Sequence, residues 1–266
     1  MPHVMSDHPI TFSFGENWMD YLGSVRPESI EAAASDIAEW LGRDYVRGKT
    51  AVDIGCGSGI HSFCLHSMGA RRLVSLDIDQ ASVDATIDFW RRAGEPGNWV
   101  VMRGSVLDEQ FTRGLGKFDI VYAWGVLHHT GAMWDAVRAA ADLVGPGGRL
   151  WMSLYTAGPN YETHLKLKQR YNASSRLGKK LMVWREIVRI MKHRRRQGKN
   201  PFTWNERCVR GMNVYHDLVD WLGGLPYEVA HPEEVVSRCA ELGLAKVRVS
   251  VAGEGACSVY LFTRNA

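Results

Sequence analysis

Three glycines in a short run give the clearest local chemical signal in this sequence. Gly55, Gly57 and Gly59 follow an apolar run and stand where a helix would begin. Glycine permits a tight turn and lets a ligand approach the backbone closely. Position 60 is Ile60, so the run lacks the last glycine of G-x-G-x-x-G, which disfavours a nicotinamide-dependent oxidoreductase. Asp53, just before the turn, could instead partner an ammonium group of a nucleotide-like ligand.

Carboxylates follow the next two apolar runs and could bind the ribose and adenine of a nucleotide-like ligand. Asp77 lies about twenty residues beyond the glycines, where a carboxylate can accept hydrogen bonds from both ribose hydroxyls. Asp79 is placed to be the N-cap of the next helix. Ser105 and Val106 could border an adenine ring. Asp108 could accept from the adenine amino group or cap another helix, and both roles remain open.

Two histidine positions could activate an acceptor. An oxygen or nitrogen must lose a proton to become a good nucleophile, and a neutral imidazole suits that task. His128 and His129 follow the fourth apolar run, at the sheet edge where ligands of such folds bind. We expect His128 rather than His129 to face the pocket or to order its loop, and a purely structural role stays open for both. His216, beside Asp217, is the second candidate.

The elements that position these residues follow from the hydrophobic pattern. Apolar runs alternate with helical patterns over residues 50–155, which predicts an α/β fold with a mostly parallel sheet covered on both faces. The alternation stops over 156–231, which predicts a helical insertion. Two later β-rich runs, Ala245–Val251 and Ser258–Thr263, are joined by a glycine-rich turn and predict a terminal antiparallel hairpin.

The insertion is strongly basic, whereas the rest of the chain is acidic. Residues 163–200 hold 13 Lys and Arg against one acid, and the remainder holds 19 basic and 28 acidic residues. A helix is predicted over Ser174–Arg196, with one apolar face expected to pack on the core or on a partner subunit. The members of that face are Leu177, Leu181, Trp184, Val188 and Met191. The charges leave three uses open: a solvated face, recognition of an anionic acceptor, or RNA binding.

Composition excludes several classes of protein. The chain has 266 residues, 45% of them hydrophobic, which suits one large core and excludes a disordered or fibrous protein. No run of about 18 consecutive apolar residues is present, so no membrane span is expected. The first residues lack the layout of a signal peptide, and we expect a cytoplasmic location. Five scattered cysteines without a C-x-x-C pair argue against disulfides and a zinc site, and no metal is expected.

Five successive motifs resemble those of the class I S-adenosylmethionine-dependent methyltransferases. They are VDIGCGSG, SLDID, GSVLD, FDIVYAWGVLHHTG and LVGPGGRLWMSLY, in that order. The resemblance implies a Rossmann-like sheet of seven strands in the order 3-2-1-4-5-7-6, with S-adenosylmethionine as cofactor. It also implies that Asp53 and the glycine turn hold the methionine end, that Asp77 and Ile78 hold the ribose, and that residues 105–108 hold the adenine. The backbone near Ala123 and Trp124 would bind the methionine amino group.

With this resemblance, the chain divides into four segments. Residues 1–49 form an N-terminal flap and helix, 50–155 the cofactor-binding core, 156–231 a helical, basic lid insertion, and 232–266 the helix and hairpin that complete the core. The insertion is expected to roof the mouth of the active site. Aromatic residues Phe12, Phe14, Trp18 and Tyr21 lie within the first segment, where they are either a flap over the cofactor or ordinary packing.

The acceptor is less constrained by the motifs. Residues 12–18 and 211–228 resemble a ubiquinone-biosynthesis-like bacterial subgroup of small-molecule and glycan methyltransferases. No [DN]-P-P-[YF] motif for base amines follows the fourth strand. We therefore expect direct transfer to a small polar acceptor, on the oxygen of a sugar or natural-product hydroxyl or acid, with a histidine base as an option. An RNA-modifying methyltransferase is the alternative, nucleic acid is disfavoured, and a homodimer stays open. The expected acceptor-binding residues are Trp18, Tyr21, Tyr155, Tyr161, His164 and Asp217.

Overall fold

Seven strands form one mixed sheet in the computed structural model, which describes residues 14–23, 25–205 and 212–265. The strands are β1 (Thr50–Ile54), β2 (Arg72–Asp77), β3 (Trp99–Arg103), β4 (Phe118–Trp124), β5 (Val144–Tyr155), β6 (Leu244–Ser250) and β7 (Cys257–Arg264). Their order is β3-β2-β1-β4-β5-β7-β6, with β7 antiparallel to both β5 and β6. The predicted fold class, strand order and terminal hairpin are confirmed.

Helices cover both faces of this sheet and extend beyond it. They are α1 (Phe14–Leu22), α2 (Pro27–Leu41), α3 (Ile60–Ser67), α4 (Gln80–Arg92), α5 (Glu109–Leu115), α6 (Met133–Asp142), α7 (Tyr161–Ala173), α8 (Arg176–Arg196), α9 (Val214–Gly223) and α10 (Pro232–Glu241). One apolar cluster joins the sheet to α2, α3 and α4, and another joins it to α5, α6 and α10. A third, smaller cluster joins α7, α8 and α9.

The central strands bring their carboxyl ends to one edge of the sheet. Residues 51–54 of β1 are buried, as expected of a parallel strand covered on both faces. Val52 pairs with Val74 of β2 and Val121 of β4, so the turns after these strands lie side by side. Strand β5 begins at Val144, which pairs with Phe118 before a shift in register.

Helix α8 turns a different face inward from the one that the sequence predicts. Val183 and Ile187 are its buried residues and pack in the third cluster. The expected face is instead exposed at four of its five positions: Leu177 by 68%, Leu181 by 63%, Trp184 by 61% and Val188 by 39%. The expectation that this face packs on the core is therefore wrong for these four. The helix carries two apolar stripes, and α7 and α9 cover only the second one.

We expect Trp184→Ala to leave the free energy of unfolding nearly unchanged. A fully buried tryptophan would cost about 3–5 kcal/mol on truncation, whereas exposed substitutions usually stay within about 0.5 kcal/mol. Urea unfolding of the two proteins measures the difference. Ile187→Ala, on the buried stripe of the same helix, is the matched comparison and should cost about 2 kcal/mol or more. A loss of that size in Trp184→Ala would contradict the exposed placement.

Three further features concern the described residues as a group. No helix among them is both long enough and apolar enough to cross a membrane. Cys56, Cys64 and Cys239 are buried free thiols, and Cys257 is a half-buried one. Cys208 lies outside the described residues, as does Phe12 of the predicted flap.

Candidate functional site

A cavity of about 840 Å³ opens at the carboxyl edge of the sheet. Residues at or just beyond the carboxyl end of each of the five parallel strands line it, and representatives are Gly55, Asp77, Ser105, Trp124 and Tyr155. Ligands of open α/β sheets bind at this edge, because the connecting loops leave a crevice there. Helices α1, α8 and α9 contribute further walls, so the cavity is enclosed by segments far apart in the chain.

The glycine turn after β1 is shaped for close approach. Gly55 lines the cavity with φ +68°, and a Cβ at this position would lie 2.2 Å from a methyl carbon of Val126. At Gly57, with φ +54°, a Cβ would lie 3.0 Å from Nε1 of Trp18. A Cβ on Gly59 would lie 2.7 Å from the Cα of Thr86, so this glycine brings α3 and α4 together. Larger residues are therefore excluded throughout the turn.

Asp77 presents a carboxylate to the cavity from the end of β2. Its Oδ2 accepts from the backbone N–H of Gly57 at 3.1 Å, and its Oδ1 accepts from that of Asp79 at 2.9 Å. Burial raises the pKa of Asp77 to about 6, although these two bonds counteract the shift. Each oxygen keeps a second acceptor site, so the pair can receive two neighbouring hydroxyls. Ile78 lines the cavity beside it.

Asp53 lies behind the turn and outside the cavity lining. It is 1% exposed, and its Oδ2 accepts from the hydroxyl of Ser62 at 2.5 Å. That hydroxyl is 2.6 Å from Oγ of Ser75, which accepts from Nε1 of Trp99 at 2.8 Å. This chain of hydrogen bonds ties β1, α3, β2 and β3 together. Asp53 thus supports the turn from below in the structure.

Some of the residues that we predicted to bind the adenine and the methionine part of the cofactor line the cavity, and others do not. Ser105 and Val106 line the cavity after β3. Asp108 caps α5, because its Oδ1 accepts from the backbone N–H of Phe111 at 3.0 Å, and it lies outside the lining. Trp124 lines the cavity, whereas Ala123 is fully buried in β4.

His129, and not His128, is the histidine that reaches the cavity, contrary to our expectation. The Nδ1 of His129 donates to the carbonyl oxygen of Pro226 at 2.7 Å, because that oxygen can only accept. In the neutral ring, Nε2 therefore keeps its lone pair. Burial and then the charge of Lys168 lower the pKa of His129 to about 3, so the ring is neutral at pH 7. His128 is fully buried, with its ring centroid 4.0 Å from that of Tyr155.

The Nε2 edge of the His129 imidazole lies close to the backbone of Gly224. A Cβ on Gly224 would lie 3.0 Å from Nε2 and 2.5 Å from Cε1. Only a residue without a side chain therefore fits at position 224 beside this ring. The ring centroid lies 5.1 Å from that of Phe14 on α1 and 5.4 Å from that of Tyr155. His129 is thus held between the N-terminal helix and the end of β5.

His216 joins two helices and does not line the cavity. Its Nε2 lies 3.2 Å from Oδ2 of Asp20, and its Nδ1 lies 2.7 Å from Oδ1 of Asn213. Its carbonyl oxygen accepts from Nδ2 of Asn17, so it holds α9 against α1. Tyr21 is buried against it, with ring centroids 5.5 Å apart. His216 and Tyr21 therefore pack between α1 and α9 and do not line the cavity.

Four of the six residues that we expected to bind the acceptor line the cavity. Trp18, Tyr155, His164 and Asp217 line it. Tyr161 lies outside the lining, where its hydroxyl donates to the carbonyl oxygen of Tyr227 at 3.3 Å and its ring stacks on that residue.

Our sequence analysis missed further residues that line the cavity. Trp221 of α9 lines the cavity and donates from Nε1 to the carbonyl oxygen of Gly255 at 2.9 Å. Asp220 also lines it, and its Oδ1 accepts from Nδ2 of Asn17 at 2.7 Å. The spacing of Asp217, Asp220 and Trp221 puts them on one helical face, a signal that could have identified them.

Lys168 is a buried cation next to the cavity and was also missed. It is 0% exposed, donates from Nζ to the carbonyl oxygen of Trp221, and lies over three aromatic rings. Nζ is 4.6 Å from the ring centroid of Trp221, 4.7 Å from that of Tyr227 and 5.3 Å from that of Tyr155. Burial lowers the pKa of Lys168 to about 7, against the smaller opposing effects of Cys257 and Asp220.

We expect this lysine to make stability rise with pH. Between about pH 7 and 10.4 the unfolded chain keeps the proton of Lys168 while the folded chain releases it, so the free energy of unfolding increases with pH. The rise should be on the order of 3 kcal/mol and should be absent in Lys168→Met. Urea unfolding at several pH values measures it, with exposed Lys166→Met as the control. Parallel curves for wild type and Lys168→Met would contradict the expectation.

The described walls carry several carboxylates. Asp77, Asp79, Asp217, Asp220 and Glu254 line the cavity, and no lysine or arginine among the described residues does so. These walls offer no direct cationic partner to the anionic acceptor that we considered. Within the described ranges, no group of three His, Cys, Asp or Glu residues could hold a metal ion.

Comparisons with known proteins identify a methyltransferase domain in this chain. Residues 52–150 match the family model described as a methyltransferase domain. The ubiquinone biosynthesis O-methyltransferase of Aromatoleum aromaticum is 30% identical over 56% of this chain and 60% of its own length. The tRNA U34 carboxymethyltransferase of Methylococcus capsulatus is 29% identical over 39% of this chain and 31% of its own.

A solved structure has the same fold over nearly the whole chain. The magnesium protoporphyrin IX methyltransferase of Synechocystis PCC 6803, with bound SAH, superposes with a TM-score of 0.53 and 14% identity, covering 96% of this chain and 86% of its own. The chain spans less than two thirds of the length of either relative matched by sequence. The family-model match over residues 52–150 identifies this part of the chain as a methyltransferase domain, and the strand order is the one that the resemblance to the class I S-adenosylmethionine-dependent methyltransferases implies.

Proposed function

We propose that this protein transfers the methyl group of S-adenosylmethionine to an oxygen of a small polar acceptor. The single observation that carries the proposal is the continuous cavity of about 840 Å³ that joins Asp77 to His129 and Trp221. Cavities of about 300–1,000 Å³ are typical of small-molecule sites.

The residues of the turn regions fit this cofactor. Asp77 would accept bonds from the ribose hydroxyls, Ser105 and Val106 would border the adenine, and the glycine turn would leave room for the methionine part. When bound, S-adenosylmethionine supplies an electrophilic methyl group on a sulfonium centre. Trp18 of α1 would close the cavity over the glycine turn, because its ring lies against Gly57.

His129 is the side chain that we propose to remove the acceptor proton. Its Nδ1–H is committed to Pro226, and its neutral Nε2 can accept. Tyr155 and Trp221 would orient the acceptor by packing, and Asp217 would accept from a further polar group of it. Enclosure by α1 and α9 would exclude water and hold the acceptor in line with the methyl group.

A labelling experiment tests the proposal. The protein is incubated with methyl-labelled S-adenosylmethionine and a metabolite extract, and the label is followed by chromatography. We expect it in a low-molecular-mass product that survives mild alkali as an ether or is released from a methyl ester. His231→Gln, at the exposed N-cap residue of α10, is the control that should remain active. Label in RNA, or on nitrogen, would contradict the proposal.

A further inference from the structure

The outer surface of α8 carries an apolar stripe that nothing in the described chain covers. Leu177, Leu181, Trp184 and Val188 are spaced by 4, 3 and 4 residues, so they lie along one side of the helix. They are between 39% and 68% exposed. Isolated exposed apolar residues are ordinary, whereas a continuous stripe of large ones marks an interaction surface.

Basic side chains flank this stripe. Lys180, Arg185, Lys192, Arg195 and Arg196 are exposed on the same helix. Helix α8 has nine Lys and Arg in total and one acid, Glu186, which pairs with Arg189 at 2.9 Å. Just beyond the helix, Phe202 is 80% exposed. The segment that carries it is tied back by Arg194, which donates to the carbonyl oxygen of Asn200 and to the hydroxyl of Thr203.

We propose that the outer face of α8 docks on an anionic lipid surface. A helix with exposed Trp and Leu between Lys and Arg inserts its apolar side chains at the level of the headgroups and pairs its cations with lipid phosphates. Outside residues 163–200 the chain holds more acids than bases, so an anionic surface repels the body and attracts this helix. Charge thus selects α8 as the docking face.

Other occupants fit the stripe less well. Two copies meeting through α8 would place nine cations of one against nine of the other. RNA would engage the cations and could stack on Trp184, but it would leave Leu177, Leu181 and Val188 without a role. An anionic membrane uses both the stripe and its flanking charges.

Docking would also bring the cavity close to the lipid. Ile190, on another face of α8, lines the cavity. One wall of the acceptor site would therefore lie within a helix diameter, about 10–12 Å, of the headgroups. This placement does not depend on which acceptor is methylated, so it can be tested independently of the proposed activity.

Vesicle sedimentation tests the proposal. The intact protein is mixed with vesicles of phosphatidylcholine alone or with about one third phosphatidylglycerol, and we expect at least about tenfold stronger partitioning to the anionic vesicles. Two double variants, Leu181→Ser with Trp184→Ser and Lys180→Glu with Lys192→Glu, should each lower that partitioning by about tenfold or more. Raised salt should weaken binding of the wild type.

Matched control variants make the same kinds of substitution at exposed positions outside α8. Val247→Ser with Val251→Ser removes two exposed apolar side chains, and Arg43→Glu with Lys246→Glu reverses two exposed charges. Both controls should sediment with anionic vesicles like the wild type.

Several results would overturn the proposal. They are equal sedimentation with both kinds of vesicle, or partitioning that the α8 variants leave unchanged. A dimer in analytical ultracentrifugation that the Leu181→Ser and Trp184→Ser changes dissociate would show that a second copy covers the stripe. Binding to bulk tRNA that the charge reversals abolish, without vesicle binding, would assign the face to RNA.

Discussion

Replacing His129 by asparagine should lower kcat by about 10²–10⁴-fold and leave cofactor affinity nearly unchanged. The asparagine amide can still donate to the carbonyl oxygen of Pro226, so the loop keeps its position. What is lost is Nε2, the group proposed to take the acceptor proton. Because the acceptor would still bind between Tyr155 and Trp221, its KM should change little.

The pH dependence of kcat tests whether the imidazole of His129 stays neutral. Burial and the charge of Lys168 lower the pKa of His129, so its imidazole stays neutral well below pH 6.5. We expect kcat of the wild type to show no loss attributable to this histidine between about pH 6 and 8. His231→Gln is the control for the assay. Full activity in His129→Asn would show that only the bond to Pro226 matters and would remove His129 as the base.

The second large effect is expected at Asp77. We expect Asp77→Asn to weaken binding of S-adenosylmethionine by about 1.5–3 kcal/mol, a factor of roughly 10–150. The substitution removes the charge that the ribose hydroxyls would meet. It also sets an amide NH2 against the backbone N–H of Gly57 or of Asp79, both of which donate to this side chain in the wild type.

Calorimetry with S-adenosylmethionine and with NAD measures this effect and the choice of cofactor together. Asp84→Asn, an exposed carboxylate on α4, removes the same charge outside the cavity and should bind normally. Binding by the wild type should weaken below about pH 6, because Asp77 takes up a proton there and loses its charge. Unchanged affinity in a folded Asp77→Asn protein would remove Asp77 from the site.

Local patterns in the sequence were sufficient to predict the strands, the glycine turn and the position of Asp77. The parallel strands are short apolar runs bounded by turns, and their carboxyl ends must meet at one edge. The glycines at 55 and 57 predicted a tight turn, and their positive φ angles agree with it. Asp77 lies at the end of β2, where the motif places it. Such features depend on a few neighbouring residues and on backbone geometry, which the sequence carries directly.

The orientation of side chains was decided by tertiary packing. Two adjacent histidines have the same sequence signal, and the contact of His129 with Pro226, 97 residues away, brings that one to the cavity. On α9, neighbouring positions diverge because one side of the helix meets α1 and another meets the cavity. His216 therefore pairs with Asp20, whereas Asp217 lines the site.

In the insertion, too, tertiary packing decides which side chains are buried. Helix α8 has two apolar stripes, and periodicity alone does not say which one is covered. The positions of α7 and α9 bury Val183 and Ile187 and leave Trp184 in solvent. In the sequence, Lys168 is one of many basic residues in its segment, and only the folded structure shows that the rings of Tyr155 and Trp221 lie next to it. The sequence thus determined the sheet, the glycine turn and the methyltransferase domain, while contacts between distant segments decided which residues face the cavity and which face the surroundings.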